Sequence, residues 1–313
     1  MKVSHLPGIV AMSTVVALTL GACAGSTGGA QSDRSASGAA QSGTATLSVV
    51  ASTNVWGDVV SQVGGHTVAV TSIISDPDKD PHEYEADARQ QLALSKAHIV
   101  IENGGGYDDF VDTMLSSAKS KATVINAVDV SGFKATQGNN LNEHVWYDYP
   151  TVTKVATSIE EALASADPGN AATYAQNLRA FTSKVETLQK AVADVKAKDA
   201  GKGVAITEPV PLYLLEAMGL ENRTPEAFSE AIEEETDVSA SVLQQTLAIF
   251  SQHQVSALVY NEQTTGSQTE AVLGAAKSAG IAVVAVQETL PSGLDYIAWQ
   301  TKIIDEVSQA LSK

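Results

Sequence analysis

Apolar positions along the chain alternate between two periods. Runs with strand character lie at residues 47–51, 67–74, 98–101, 123–128, 204–207, 257–260 and 281–286. Stretches with helical spacing lie between them, at residues 55–63, 86–96, 109–118, 212–218, 240–252, 269–279 and 296–311. Strands that alternate with helices predict an α/β fold of mostly parallel sheets, each flanked by helices.

The middle of the chain breaks this alternation. Residues 150–198 keep helical spacing throughout, with Asp167-Pro168-Gly169 as the one interruption, where Pro168 could end one helix or begin the next. We therefore predict two lobes joined by a long central helix: an N-terminal α/β lobe at residues 47–149, a connecting helical backbone at 150–198 and a C-terminal α/β lobe at 199–313.

The N-terminal segment has the features of a secretory signal. Lys2 precedes an apolar run at residues 9–20, which is too short for a membrane-spanning helix of about 20 residues. Leu20-Gly21-Ala22-Cys23 resembles the bacterial lipobox, which implies a signal peptide at residues 1–22 and a lipidated Cys23. Residues 23–46 are rich in Gly, Ser, Ala, Thr and Gln, a composition typical of a flexible tether.

Composition and charge exclude several classes of function. The formal net charge of −17 argues against nucleic-acid binding, which needs clusters of Lys and Arg. Because Cys23 is the single cysteine, the chain forms neither an internal disulfide nor a thiolate metal cluster.

Four residues combine into a candidate metal site. His82 follows a predicted strand in a proline-containing loop, and His144 lies in a loop before the central helix. Glu208 follows the strand at 204–207 directly, and Glu288 follows the strand at 281–286 by two residues. Ligands of open α/β sheets bind at the carboxyl edge of the strands. Two imidazoles and two carboxylates suit Mn²⁺, Fe²⁺ or Zn²⁺.

These residues lie in segments that resemble a known family. Asp80-Pro81-His82-Glu83-Tyr84-Glu85, Glu143-His144-Val145-Trp146, Thr207-Glu208 and Gln287-Glu288 are similar to the zinc and manganese solute-binding lipoproteins of bacterial ABC transporters, and the likeness extends from Leu47 to Lys313. The resemblance implies a cluster A-I solute-binding fold.

The resemblance also implies a function. It implies one divalent ion as cargo, Mn²⁺ or Zn²⁺ with Fe²⁺ as a third choice, bound by His82, His144, Glu208 and Glu288. It further implies a monomeric, lipid-anchored extracytoplasmic protein that delivers the ion to a membrane ABC permease. Glutamate at the third of these positions is common in manganese carriers. The fourth is usually aspartate, so Glu288 departs from the family pattern by one methylene.

Three other functions are compatible with parts of the pattern. The first is a metal-dependent hydrolase, which would need an open coordination position and a general base, for which Glu83, Glu85 or Asp148 are candidates. The chain has no HExxH or GxSxG motif, and the glycine-rich segment at 103–106 lacks the lysine of a phosphate loop, so we expect a turn there and no enzyme. The second is a solute-binding protein for an organic ligand, and the third is an adhesin-type surface lipoprotein.

Overall fold

Four strands from the first half of the chain form one parallel sheet. The computed structural model describes residues 47–76, 84, 87–135 and 140–313. The strands are β1 (Leu47–Thr53), β2 (Val68–Ile74), β3 (Ile99–Glu102) and β4 (Thr123–Asn126). Their order is β2-β1-β3-β4, with Val49 of β1 paired to both Val70 and Ile99. Residues 49–53 of β1 are all buried, which explains the consecutive apolar residues Val49, Val50 and Ala51.

The helices of the first half are short. They are α1 (Asn54–Gly64), α2 (Ala88–Lys96), α3 (Phe110–Ala118) and α4 (Ala127–Ser131). The strand predicted at 123–128 is too long by two residues. Asn126 ends β4 because its side-chain oxygen accepts the Asp129 N–H and caps α4.

Two helices form the centre of the molecule. They are α5 (Tyr149–Ala166) and α6 (Ala171–Asp199), with a 3-10 turn at Pro168–Asn170 between them. Helix α5 ends at Ala166, and Pro168 begins the turn that leads into α6. Helix α6 is 29 residues long. Helix α6 packs against α5 and α1.

The second half repeats the architecture of the first. Its strands are β5 (Gly203–Ile206), β6 (Glu221–Asn222), β7 (Ala257–Asn261) and β8 (Ala282–Val286), in the parallel order β6-β5-β7-β8. Its helices are α7 (Leu212–Ala217), α8 (Glu226–Glu233), α9 (Ala240–Ser251), α10 (Ser267–Ser278) and α11 (Tyr296–Leu311). Strand β6 and helix α8 were not predicted. The predicted class of two parallel α/β lobes with a long central helix is confirmed.

One hydrophobic core spans both halves. Val49 of β1 and Ile206 of β5 belong to the same buried cluster, together with Trp146, Phe181 of α6 and Tyr296 of α11. Two smaller clusters each belong to a single half of the chain. Burial of large aromatic side chains contributes strongly to stability, so the shared cluster holds the two lobes together along the central helices.

The glycine-rich segment after β3 forms a tight turn, as expected. Gly104, Gly105 and Gly106 all have positive φ, at 77°, 74° and 102°. The N–H groups of Asn103 and Gly104 donate to the buried carboxylate of Asp108, at 2.6 and 2.7 Å. These amides are therefore already occupied by a side chain of the protein and do not cradle a phosphate.

Several predicted features lie outside the described residues. They are the signal peptide at 1–22, the lipidation site Cys23, the tether at 23–46 and the ligand His82. In the part of the chain that the structure describes, none of the helices combines the length and apolar character that crossing a bilayer requires.

Candidate metal centre

His144 lies at the entrance to the central helices. It precedes a buried 3-10 turn at Val145–Tyr147, and α5 begins directly after that turn. The helix start is fixed by Asp148, whose carboxylate accepts the Thr151 N–H at 3.0 Å, and by Pro150 in the first turn. A rigid turn followed by a capped helix therefore holds His144, which is fully buried.

Asn142 determines which nitrogen of His144 is available. Its side-chain N–H donates to the carbonyl oxygen of Pro209 at 3.0 Å, so its oxygen faces the imidazole. That oxygen lies 2.8 Å from Nδ1 of His144, which must donate to it. Nδ1 therefore carries a proton and Nε2 points into the site, where it has no hydrogen-bond partner among the described residues.

Glu288 reaches the same point from the second lobe. It lies two residues beyond β8 and is 1% exposed. Asn261, at the end of the neighbouring strand β7, donates to Oε1 of Glu288 at 2.9 Å, and the backbone N–H of Glu288 donates to Gln263 at 2.5 Å. These contacts leave Oε2 directed toward His144, with 3.8 Å between Oε2 and Nε2.

Glu208 occupies the equivalent position after β5. Its neighbour Thr207 accepts the Asn261 N–H at 3.0 Å, which ties the end of β5 to β7. Glu208 is 3% exposed, and its Oε2 is buried with no hydrogen-bond partner in the described part of the chain. A buried carboxylate oxygen without a donor is costly and indicates a site built for a cation.

A further carboxylate, not singled out by the sequence, contacts the histidine. Oε1 of Glu233, the last residue of α8, lies 3.6 Å from Nε2 of His144. Donor atoms of Glu143, His144 and Glu233 all lie within 4.8 Å of one another. Two ligands of one ion, each about 2.1 Å from it, are about 3.0–3.5 Å apart. The distances from Nε2 to Glu233 and Glu288 are close to that range.

The electrostatics of the cluster favour the binding of a cation. Burial by itself lowers the pKa of His144, but the carboxylates of Glu233 and Glu288 outweigh it and raise this pKa to about 9. Burial, followed by the negative charges of Glu288 and Glu233, raises the pKa of Glu208 to about 8. The same negative charge that favours a proton on His144 would favour a bound cation.

Two of the four predicted ligands, His144 and Glu288, lie 3.8 Å apart in a buried cluster, although they come from different lobes. A third, the buried Glu208, is close enough to Glu288 and Glu233 for their charges to raise its pKa. His82 lies outside the described residues, and metal binding by all four stays a prediction. Of the other histidines, His98 accepts the Ser48 N–H at 3.1 Å through its Nδ1, which is a local structural contact.

Comparisons with known proteins identify the family to which this chain belongs. A family model described as zinc-uptake complex component A, periplasmic, matches residues 49–310. The chain is 25% identical over 177 residues to manganese-binding lipoprotein MntA of Halalkalibacterium halodurans, a match that covers 56% of this chain and 59% of that relative. It is 27% identical over 220 residues to iron ABC transporter substrate-binding lipoprotein MtsA of Streptococcus pyogenes serotype M1, covering 63% and 71%.

Solved structures share the fold. The periplasmic zinc-binding protein TroA from Treponema pallidum superposes with a TM-score of 0.71 at 20% identity, covering 85% of this chain and 99% of that one. The solute-binding protein FpvC from Pseudomonas aeruginosa in complex with Mn²⁺ gives a TM-score of 0.69 at 22% identity, covering 85% and 98%.

Proposed function

Because the chain belongs to the zinc-uptake complex component A family, we propose that it is the metal-capturing subunit of an ABC importer. Its cargo is one Mn²⁺ or Zn²⁺ ion, with Fe²⁺ as a third choice, held by His82 and His144 from the first lobe and by Glu208 and Glu288 from the second. Nitrogen and oxygen donors of this kind suit these three ions.

One observation carries this proposal. Nε2 of His144 and Oε2 of Glu208 are both buried and both lack a hydrogen-bond partner in the described residues, and Glu288 lies 3.8 Å from the histidine. A purely structural polar cluster would satisfy these atoms internally. A cation that enters between the lobes supplies the missing partner for each of them.

The proposal extends to partners and location. Relatives of the chain are named ABC transporter substrate-binding lipoproteins. We propose accordingly that this protein acts outside the cytoplasm as a monomer, is anchored by lipid on Cys23 and delivers its ion to a membrane permease. Its family consists of binding subunits of transporters rather than enzymes, and we propose that the chain has no hydrolytic activity of its own.

Calorimetric titration of the metal-free protein tests the proposal. The wild type should bind one equivalent of Mn²⁺ or Zn²⁺, whereas His144→Ala and Glu208→Gln should each weaken binding by about 100-fold or more, because each removes a donor atom. Glu221→Gln is the matched control, since Glu221 is exposed on β6 and pairs with the start of β5, whereas Glu208 follows the end of that strand. Absence of binding by the wild type, or unchanged affinity in both site variants, would refute the assignment.

A further inference from the structure

Glu233 lies as close to the buried Nε2 of His144 as the predicted ligand Glu288 does. Its Oε1 lies 3.6 Å from Nε2 of His144, while the oxygen of Glu288 lies 3.8 Å from the same atom. A carboxylate oxygen 3.6 Å from Nε2 is close to the separation of two ligands that share one ion, and donor atoms of Glu143, His144 and Glu233 lie within 4.8 Å of one another. We propose that Glu233 is an additional ligand that biases the site toward manganese; this inference rests on the proposed function.

The position of Glu233 is built into the fold. Helix α8 is anchored by Phe228 and Ile232, which are buried in the core of the second lobe. Glu233 ends this helix, and its side chain is only 12% exposed. An anchored helix that directs a nearly buried carboxylate toward an imidazole resembles a ligand position more than a solvated acidic surface.

A cleft leads to this carboxylate. The cavity has a volume of about 670 Å³ and is lined by residues of both lobes, including Asn142, Glu143 and Leu212, and by Glu233 itself. Glu233 therefore lies between an open cleft and the buried nitrogen of His144.

Glu233 also changes the chemical character of the donor set. Glu233 adds a third carboxylate to Glu208 and Glu288 of the proposed donor set, and Glu143 offers a further one within 4.8 Å of Glu233. Carboxylate oxygens suit Mn²⁺, whereas the intrinsic order of affinities favours Zn²⁺ at most mixed sites. A third carboxylate cannot reverse that order, but it raises manganese affinity relative to zinc.

Glu233→Gln tests this inference, with Glu234→Gln as the matched control. Both variants remove one negative charge from the end of the same helix, but Glu234 is exposed. Competition titrations with Mn²⁺ and Zn²⁺ at low and high salt should show that Glu233→Gln weakens manganese binding by at least about 10-fold and zinc binding clearly less. Glu234→Gln should leave both affinities within about 2-fold of the wild type.

Three results would overturn the inference. Unchanged manganese affinity in Glu233→Gln would exclude ligation. A loss of manganese affinity that disappears at high salt would show that Glu233 acts only as a screened surface charge. An equal loss for both metals would remove the preference for manganese. In each of these cases, the proposed function would still stand if the wild type binds metal and His144→Ala does not. A wild type that binds neither metal would refute both the proposed function and this inference.

Equal melting temperatures of the metal-free wild type and Glu233→Gln would show that the variant folds. A lower manganese affinity in such a folded variant supports ligation.

Discussion

The side chain of Asn142 joins the two lobes through the backbone of Pro209. Its N–H donates to the Pro209 carbonyl at 3.0 Å, and its oxygen accepts from Nδ1 of His144 at 2.8 Å. The Asn142 carbonyl in turn accepts the hydroxyl of Tyr213 at 2.7 Å. Asn142 therefore couples the orientation of the buried imidazole to the approach of the second lobe, directly beside Glu208.

Replacing Asn142 should weaken metal binding although Asn142 offers the ion no ligand. Asn142→Ala frees the imidazole to rotate or to protonate on the other nitrogen, and loss of such an outer partner costs about 10–100-fold in metal affinity. Asn142→Asp should lose less, because its oxygen still accepts from Nδ1. Calorimetric titration measures both, with Asn140→Ala as the control, since Asn140 is exposed and contacts only Glu230 among the hydrogen bonds of the described residues. Equal affinities of the Ala variant and the wild type would contradict this role.

The sequence made Glu208 and Glu288 predictable for a physical reason. Each follows a buried apolar strand, and the carboxyl ends of parallel strands meet at one edge of a sheet. Glu233 has no such marker. It begins the run Glu233-Glu234-Glu235 at the end of a short helix, and local pattern does not distinguish these three. Only the tertiary packing of α8 decides which of them faces His144.

The same limit applies to contacts across the lobes. Asn142 is close to His144 in sequence, but its bond to Pro209 depends on how the two lobes meet. The helical span was recognisable from spacing, and so was the interruption at Pro168. By contrast, β6 has only two residues and no apolar run that would mark it in the sequence. It is defined by its pairing with one edge of β5. Most elements with their own periodicity were predictable, whereas β6, which is defined by its neighbour, was not. Helix α8 was also missed, because its helical spacing rests on only two large apolar residues, Phe228 and Ile232.

Asn54 and Leu290 form a second link between the lobes. The Asn54 side chain donates to the Leu290 carbonyl at 2.9 Å and accepts the Leu290 N–H at 2.8 Å. Asn54→Ala leaves both partly buried backbone groups unsatisfied and should lower the free energy of unfolding by roughly 2 kcal/mol. Asn54→Asp keeps the acceptor for the Leu290 N–H but sets a carboxylate oxygen against the Leu290 carbonyl, so it should not restore the stability of the wild type. Urea denaturation of the metal-free proteins measures the difference, and Asn54→Ala as stable as the wild type would show that water replaces these bonds.

Glu102 should make stability depend on pH. Burial raises its pKa to about 7, although the hydrogen bond from Asn126 lowers it. An acid with a raised pKa favours the folded state while it is neutral, so its contribution is present below about pH 4.5 and is lost as the pH rises through about 7. Glu102→Gln stays neutral and can still accept from Asn126. As the pH rises from 5 to 8, the free energy of unfolding of Glu102→Gln should therefore increase by about 1 kcal/mol relative to that of the wild type.

Chemical denaturation of the metal-free protein at pH 5 and pH 8 checks this expectation. Glu186→Gln is a suitable control, because Glu186 is exposed on α6 and should give the same small difference at both pH values. If the advantage of Glu102→Gln were larger at pH 5 than at pH 8, the sign of the argument would be wrong.

Cargo metal should raise the melting temperature in a way that depends on His144. A ligand that binds only the folded state at about 100 times its Kd adds about 2.7 kcal/mol to the free energy of unfolding, which corresponds to roughly 5–10 °C for a domain of this size. Thermal melts with Mn²⁺, Zn²⁺ and Fe²⁺ at matched multiples of Kd measure the shift.

Because the chain carries a formal net charge of −17, weak binding of metal ions to surface carboxylates could also stabilise the protein. His144→Ala separates the two effects: it removes the buried nitrogen but none of the surface acids, so a shift that survives the substitution belongs to the surface and not to the cluster.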